Sequence, residues 1–185
     1  MIKIGIDPSL NCTGVCIWDI TRNINSYYMI PSKVTKKMSI FTHERICILP
    51  YDRIDTKNLE YTEKERCKFD NIYNIGKNIG VILDTFNPTE VFMEGISYGS
   101  LGSAALIDLA FLNAVIRAEL KRRNIKFNII SPTSLKKFAC ANGQAEKSVI
   151  VDAWKRLDTN IMNVKDIKVD DLADSFFLAH YKFET

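Results

Sequence analysis

Histidine is nearly absent from this 185-residue chain: His43 and His180 are the only two. Neither stands at a spacing used by zinc ligands or by a catalytic triad. Cysteines are odd in number, at positions 12, 16, 47, 67 and 140, and none forms a Cys-x-x-Cys pair. These shortages leave no case for a disulfide framework, a structural zinc site or Cys-His catalysis, and they fit a reducing cytoplasm. Long apolar runs are missing too. The longest, Ala104 to Ile116, is too short for a bilayer and contains Asp108 and Asn113. Lys3 and Asp7 interrupt the place where an export signal would need its apolar core, so a cytoplasmic protein is expected. Charge of one sign is also scarce. Twenty-five Lys and Arg against 22 Asp and Glu leave +3, which permits a nucleic-acid partner without requiring one. No repeat, low-complexity tract or linker divides the chain, and its length suits one well-buried core, so a single domain over 1–185 is expected.

What is present alternates between strand and helix patterns. IKIGID (2–7) and GVCIWDI (14–20) read as two strands of a hairpin, and SYYMI (26–30) as a third strand. Residues 31–62 are polar and aperiodic between the breakers Pro31 and Pro50, and read as a long insertion with room for one short hairpin. Residues 63–86 carry Phe69, Ile72, Tyr73, Ile75, Ile79, Ile82 and Leu83 at helical spacing, with Asn87-Pro88 as the stop. EVFM (90–93) and FNII (127–130) read as strands buried on both faces. The helix predicted over 103–123 is apolar almost all round, and such a helix needs cover on two sides. The sheet supplies one side, and a second subunit could supply the other. Ser131-Pro132 opens a short helix, and helices follow over 145–157 and 169–181. Hairpin strands followed by alternating strands and helices predict an α/β fold with a mixed sheet.

Acids stand at places where packing would favour oil. Asp7 closes the first strand and Glu94 closes EVFM. Asp171 and Asp174 lie three apart in DDLADSFFLA, and so on one helix face, beside Leu172, Phe176, Phe177 and Leu178. Each has a simpler use: Asp7 as a turn cap, Glu94 as a solvated strand end, the helix acids as complements to the helix dipole. Taken together, they are the oxygen set a divalent-metal site needs. Clustered carboxylates raise one another's pKa unless a cation or proton compensates. Mg²⁺ takes oxygen ligands and bridges to phosphate, and two such ions about 4 Å apart can activate water and stabilise a leaving oxygen.

Four blocks carry a family resemblance. IGIDPSLNCTG, EVFMEGISYGSLGSAA, SPTSLKKFACANGQAEKSVI and DDLADSFFLA resemble, in order, the segments of RuvC-type Holliday-junction resolvases of the RNase H-like superfamily. The length and the GISYGSLGSAA wording are most similar to bacteriophage members acting in a host cytoplasm. The resemblance implies an RNase H-like mixed five-stranded sheet flanked by helices. It implies a homodimeric, Mg²⁺-dependent endonuclease, with Mn²⁺ as substitute and two ions per site, that resolves branched DNA such as a four-way junction. By position, Asp7, Glu94, Asp171 and Asp174 match the metal-binding catalytic acids. Lys136, Lys137 and Lys147 match the basic stretch expected at the DNA, and Tyr98 and Ser100 fall in the loop expected to meet it. Tyr98 could stack on an unpaired base, which is worth about 1 to 3 kcal/mol, or anchor its own loop.

The chain departs from the family pattern at Ser175, where alanine is usual. Asp170 beside Asp171 leaves the helix register to be fixed, although the three-residue step to Asp174 favours Asp171. GSLGS before the long helix lacks the Lys-Ser/Thr of a nucleotide-binding loop. An actin-like lobe would explain IGIDPS but not the Asp-x-x-Asp helix. A flap or general branch nuclease of the same fold, and a non-catalytic junction-binding protein, stay open as alternatives.

Overall fold

β1 (Ile2–Asp7), β2 (Cys12–Asp19) and β3 (Ile24–Pro31) form an antiparallel meander, with Asp7 opposite Gly14 and Gly14 opposite Met29. β5 (Glu90–Glu94) pairs parallel with β1, and β6 (Phe127–Ile130) parallel with β5. The computed structural model describes residues 1–96, 103–162, 164, 167 and 169–183. Its sheet has six strands in the order β4-β3-β2-β1-β5-β6, where five were expected. The sixth is β4 (Ile46–Ile48), inside the insertion. It pairs parallel with β3, and the expected hairpin reduces to one antiparallel bridge between His43 and Ile46. The insertion also holds a short helix, α1 (Lys36–Ile40). Sequence pattern missed both because a three-residue strand and a five-residue helix are shorter than the periods that reveal them.

Strand alternation sends Ile4, Ile6, Val91 and Met93 to one sheet face, and Phe92 to the other. The first face is covered by α2 (Tyr61–Phe86) and α3 (Ser103–Arg122). Asn87 ends α2 with φ 42°, its N–H bonded to the Leu83 carbonyl at 2.9 Å. Pro88 cannot continue the helix. Where α3 passes α2, Gly76 leaves room for Val115. Ile72, Ile75, Ile79 and Leu83 of α2 and Leu112, Ile116 and Leu120 of α3 face inward. Phe69 and Tyr73, expected among the apolar positions of α2, instead lie on its outer side, half exposed and stacked on each other.

The second face carries α6 (Asp170–Ala179), with α4 (Pro132–Cys140) and α5 (Lys147–Leu157) beside it. Ser131 caps α4 by accepting the Ser134 N–H, and Pro132 opens the first turn. A buried network pins the end of α5 over β3. Trp154 Nε1 donates to the Tyr27 hydroxyl at 3.0 Å, and Tyr27 donates to Asp158 at 2.6 Å. Among the described residues, no helix is long and apolar enough to cross a membrane.

Candidate active site

β1 and β5 lie side by side, with Ile6 opposite Met93, so the next pair along the register is Asp7 and Glu94. Both are one step past an inward-facing residue, and both therefore project toward the face that α6 covers. α6 can lie close there because the strands beneath it lack side chains. A Cβ at Gly5 would collide with the Ser175 carbonyl, and one at Gly14 with the Asp171 carbonyl. A glycine inside a strand pattern marks such an approach of backbones. That signal was present at Gly5 and Gly14, although sequence reasoning did not use it. The approach seats Asp171 and Asp174 over the ends of β1 and β5.

The turn behind Asp7 is closed from within. Thr13, fully buried, donates its hydroxyl to the Ser9 carbonyl at 2.9 Å and accepts the Ser9 N–H at 3.2 Å. Ser9 Oγ accepts the N–H groups of Asn11 and Cys12 at 3.3 and 3.4 Å. Asp7 caps none of these groups, so the turn does not account for its carboxyl. Thr13 is a structural residue of the site that sequence reasoning passed over.

Electrostatics unite the four acids. Burial pushes the Asp7 carboxyl well above the ordinary carboxylate range, and Glu94, Asp174 and Asp171 raise it further by repulsion. The contact between the Asp7 and Glu94 carboxyls raises Asp7 further and lowers Glu94. Burial also raises Glu94, against that contact and the fields of Lys147 and Lys136. Asp174 is pushed up to about 7, first by burial and then by Glu94, with Lys147 opposing and Asp171 and Asp170 adding to the rise. Burial works against the charge of Lys147, but Asp171, Asp174, Asp170 and Asp7 together raise its pKa.

Asp171 is buried, whereas Asp170 is partly exposed, 3.9 Å from Lys147. Of the two, Asp171 is the one whose field reaches Asp7. Lys136 stands in α4 and Lys147 opens α5, each within the field of the acids, and Lys137 follows Lys136 on α4. Tyr98 and Ser100 lie outside the described residues. Among the described residues, no three acidic, histidine or cysteine side chains close to metal-ligand spacing. The carboxyls Asp7, Glu94 and Asp174 are all raised, by burial and by one another's fields. Their chemistry fits a hard divalent cation: the donors are all oxygens, they come from three elements, and they are crowded in a low-dielectric site that calls for positive charge.

The family model for the crossover junction endodeoxyribonuclease RuvC matches residues 42–180. The chain belongs to that family. The matched span contains Glu94, Asp171 and Asp174, and Asp7 lies ahead of it. RuvC of Orientia tsutsugamushi (strain Ikeda) is 28% identical over 180 residues, covering 97% of this chain and 93% of that protein. RuvC of Prochlorococcus marinus (strain MIT 9301) is 29% identical over 119 residues, or 64% of this chain and 72% of the relative. In three dimensions the fold is similar to Thermus thermophilus RuvC in complex with a Holliday junction substrate. The TM-score is 0.62 at 10% identity, over 97% of this chain and 90% of that one. At that identity the likeness establishes the RuvC fold.

Proposed function

We propose that this RuvC-family chain resolves four-way DNA junctions by metal-assisted hydrolysis of phosphodiester bonds. The observation that carries the chemistry is the convergence of Asp7, Glu94, Asp171 and Asp174, from β1, β5 and α6, into one buried and mutually repelling set. Asp7, Glu94, Asp171 and Asp174 would hold two cations, with Asp7, whose carboxyl feels the other three, as the acid common to the set. Mg²⁺, with Mn²⁺ able to substitute, would supply an activated water and stabilisation of the leaving oxygen. The residues themselves hold the ligand oxygens on rigid strand ends and under a helix, where they cannot drift as charge develops. Lys136, Lys137 and Lys147 bring positive charge to where the phosphate backbone would approach. The product expected is a 5′-phosphate and a 3′-hydroxyl.

The second half of the proposal is a homodimer. On α3, Ile107 and Phe111 are 54% and 48% exposed, and on α2 Phe69 and Tyr73 are 50% and 48% exposed. The α2–α3 contacts set Gly76 against Val115 and Lys68 near Asp108. The two helices therefore run parallel, and the four side chains fall at one level. An apolar patch of this kind on an otherwise polar surface marks a protein contact, and a two-fold dimer would cover it with its own copy. Two sites related in this way suit two strands of one junction.

The test is cleavage of labelled four-way, three-way and flapped DNA with Mg²⁺ or Mn²⁺, side by side. The four-way junction should be cut preferentially, and Asp7→Asn should bind it but not cut it. Metal-dependent cutting by Asp7→Asn would overturn the assignment.

A further inference from the structure

None of the steps above uses the insertion between β3 and α2. Residues 32–43 hold Lys33, Lys36 and Lys37 and no acid, and all three lysines are exposed. The fold decides where they stand. β3 ends at Pro31 opposite Cys12, at the same end of the sheet where Gly14 faces Asp7. The Ser32 N–H donates to the Asn11 carbonyl at 2.8 Å, which ties the start of the insertion to the turn behind Asp7. Thr35 caps α1 through the Met38 N–H at 3.3 Å. Met38 and Phe41 then pack into the core shared with α6. α1 is thereby held on the sheet face that carries the acids, near the β3 edge. Arg53 returns to the same place, donating to Ser32 Oγ at 3.4 Å.

We infer that the segment 32–43 is a second DNA surface, which takes the phosphate backbone of a duplex arm leaving the acids on the β3 side. This inference rests on the reading of the chain as a junction nuclease. Lys136, Lys137 and Lys147 belong to α4 and α5, so the two basic groups come from different elements around the acids. A duplex crossing the site would touch both. Exposed lysines free of nearby acids in sequence make contacts to phosphate that carry no sequence preference. The insertion thus contributes affinity and orientation of an arm, while the chemistry stays with the carboxyls.

The experiment compares the full chain with a Lys33→Gln, Lys36→Gln, Lys37→Gln triple variant on one labelled four-way junction. Binding is measured in Ca²⁺ over a range of salt, and cutting in Mg²⁺ at saturating protein. Each lost phosphate contact removes about 0.9 from the slope of log affinity against log salt. The triple variant should therefore show a slope lower by about 2 to 3 and a Kd raised about tenfold or more at low salt, with saturated cutting kept. The corresponding triple Lys→Arg variant should bind like the parent. Should the triple Gln variant fail to fold, the three single Gln variants are each expected to lose about 0.9 of slope. A slope and Kd equal to the parent's overturn the surface and leave the nuclease assignment standing. A parent that cuts no junction overturns the nuclease assignment itself.

Discussion

At the scale of single residues, the decisive fact is that Asp7, Glu94 and Asp174 are all held above their ordinary carboxylate range. A raised folded-state pKa stabilises the protonated fold. That contribution is complete below the unfolded value, about 4 for a carboxylate, and is lost as pH rises through the folded value, about 7 for Asp174. The protein held in chelator should therefore melt at a lower temperature at about pH 8 than at about pH 5. Added Mg²⁺ or Mn²⁺ should raise the melting temperature more at the higher pH, because the cation replaces protons that have left. Asp7→Asn should narrow the difference in chelator melting temperature between about pH 5 and about pH 8, since it removes one of the buried acids whose ionisation the fold opposes. A melting temperature flat with pH would mean that the acids do not share a field.

At the scale of elements, the site depends on how closely α6 lies on β1 and β2. Gly5 and Gly14 leave no room for even a methyl group beneath the backbone of Ser175 and Asp171. Gly14→Ala should therefore cost about 1 to 3 kcal/mol or more in urea denaturation, the range for overpacking. It should also slow cutting more than it weakens junction binding, because Asp171 shifts while the lysines of α4 and α5 stay. An equal loss in binding and cutting would place the damage elsewhere. From Asp171 to Ala179 every residue of α6 but Asp174 is buried, whereas Asp170, at the helix start, is partly exposed beside Lys147.

At the scale of the whole molecule, the α2–α3 layer shields one sheet face and presents its remaining apolar side outward. If Ile107 and Phe111 meet a second copy, Phe111→Lys should shift the protein from dimer to monomer in sedimentation. The same substitution should convert paired cutting of two strands into single nicks, with the rate of nicking retained. A parent chain that sediments as a monomer at all concentrations would remove the dimer from the proposal. Phe111 is 48% exposed, so its replacement disturbs the inner core little and the comparison stays clean.

The sequence alone makes legible the strands from Ile2 to Asp7 and from Glu90 to Glu94, the long helices, and the four acids, two closing strands and two within the last helix. These follow from local rules: period-two and period-3.6 burial, caps at Ser131 and Asn87, and acids where a strand pattern calls for oil. It did not reveal β4, α1 or the outward turn of Phe69 and Tyr73. Short elements carry too few residues to show a period, and an apolar side chain does not say which of two faces its helix will bury. Tertiary contacts alone bring the field of Asp171 to Asp7, let glycines admit α6 to the sheet, and set the first part of the insertion, through Met38 and Phe41, on the face of the acids. Each of those depends on contacts between residues far apart in the chain, and such contacts exist only once the sheet has been assembled.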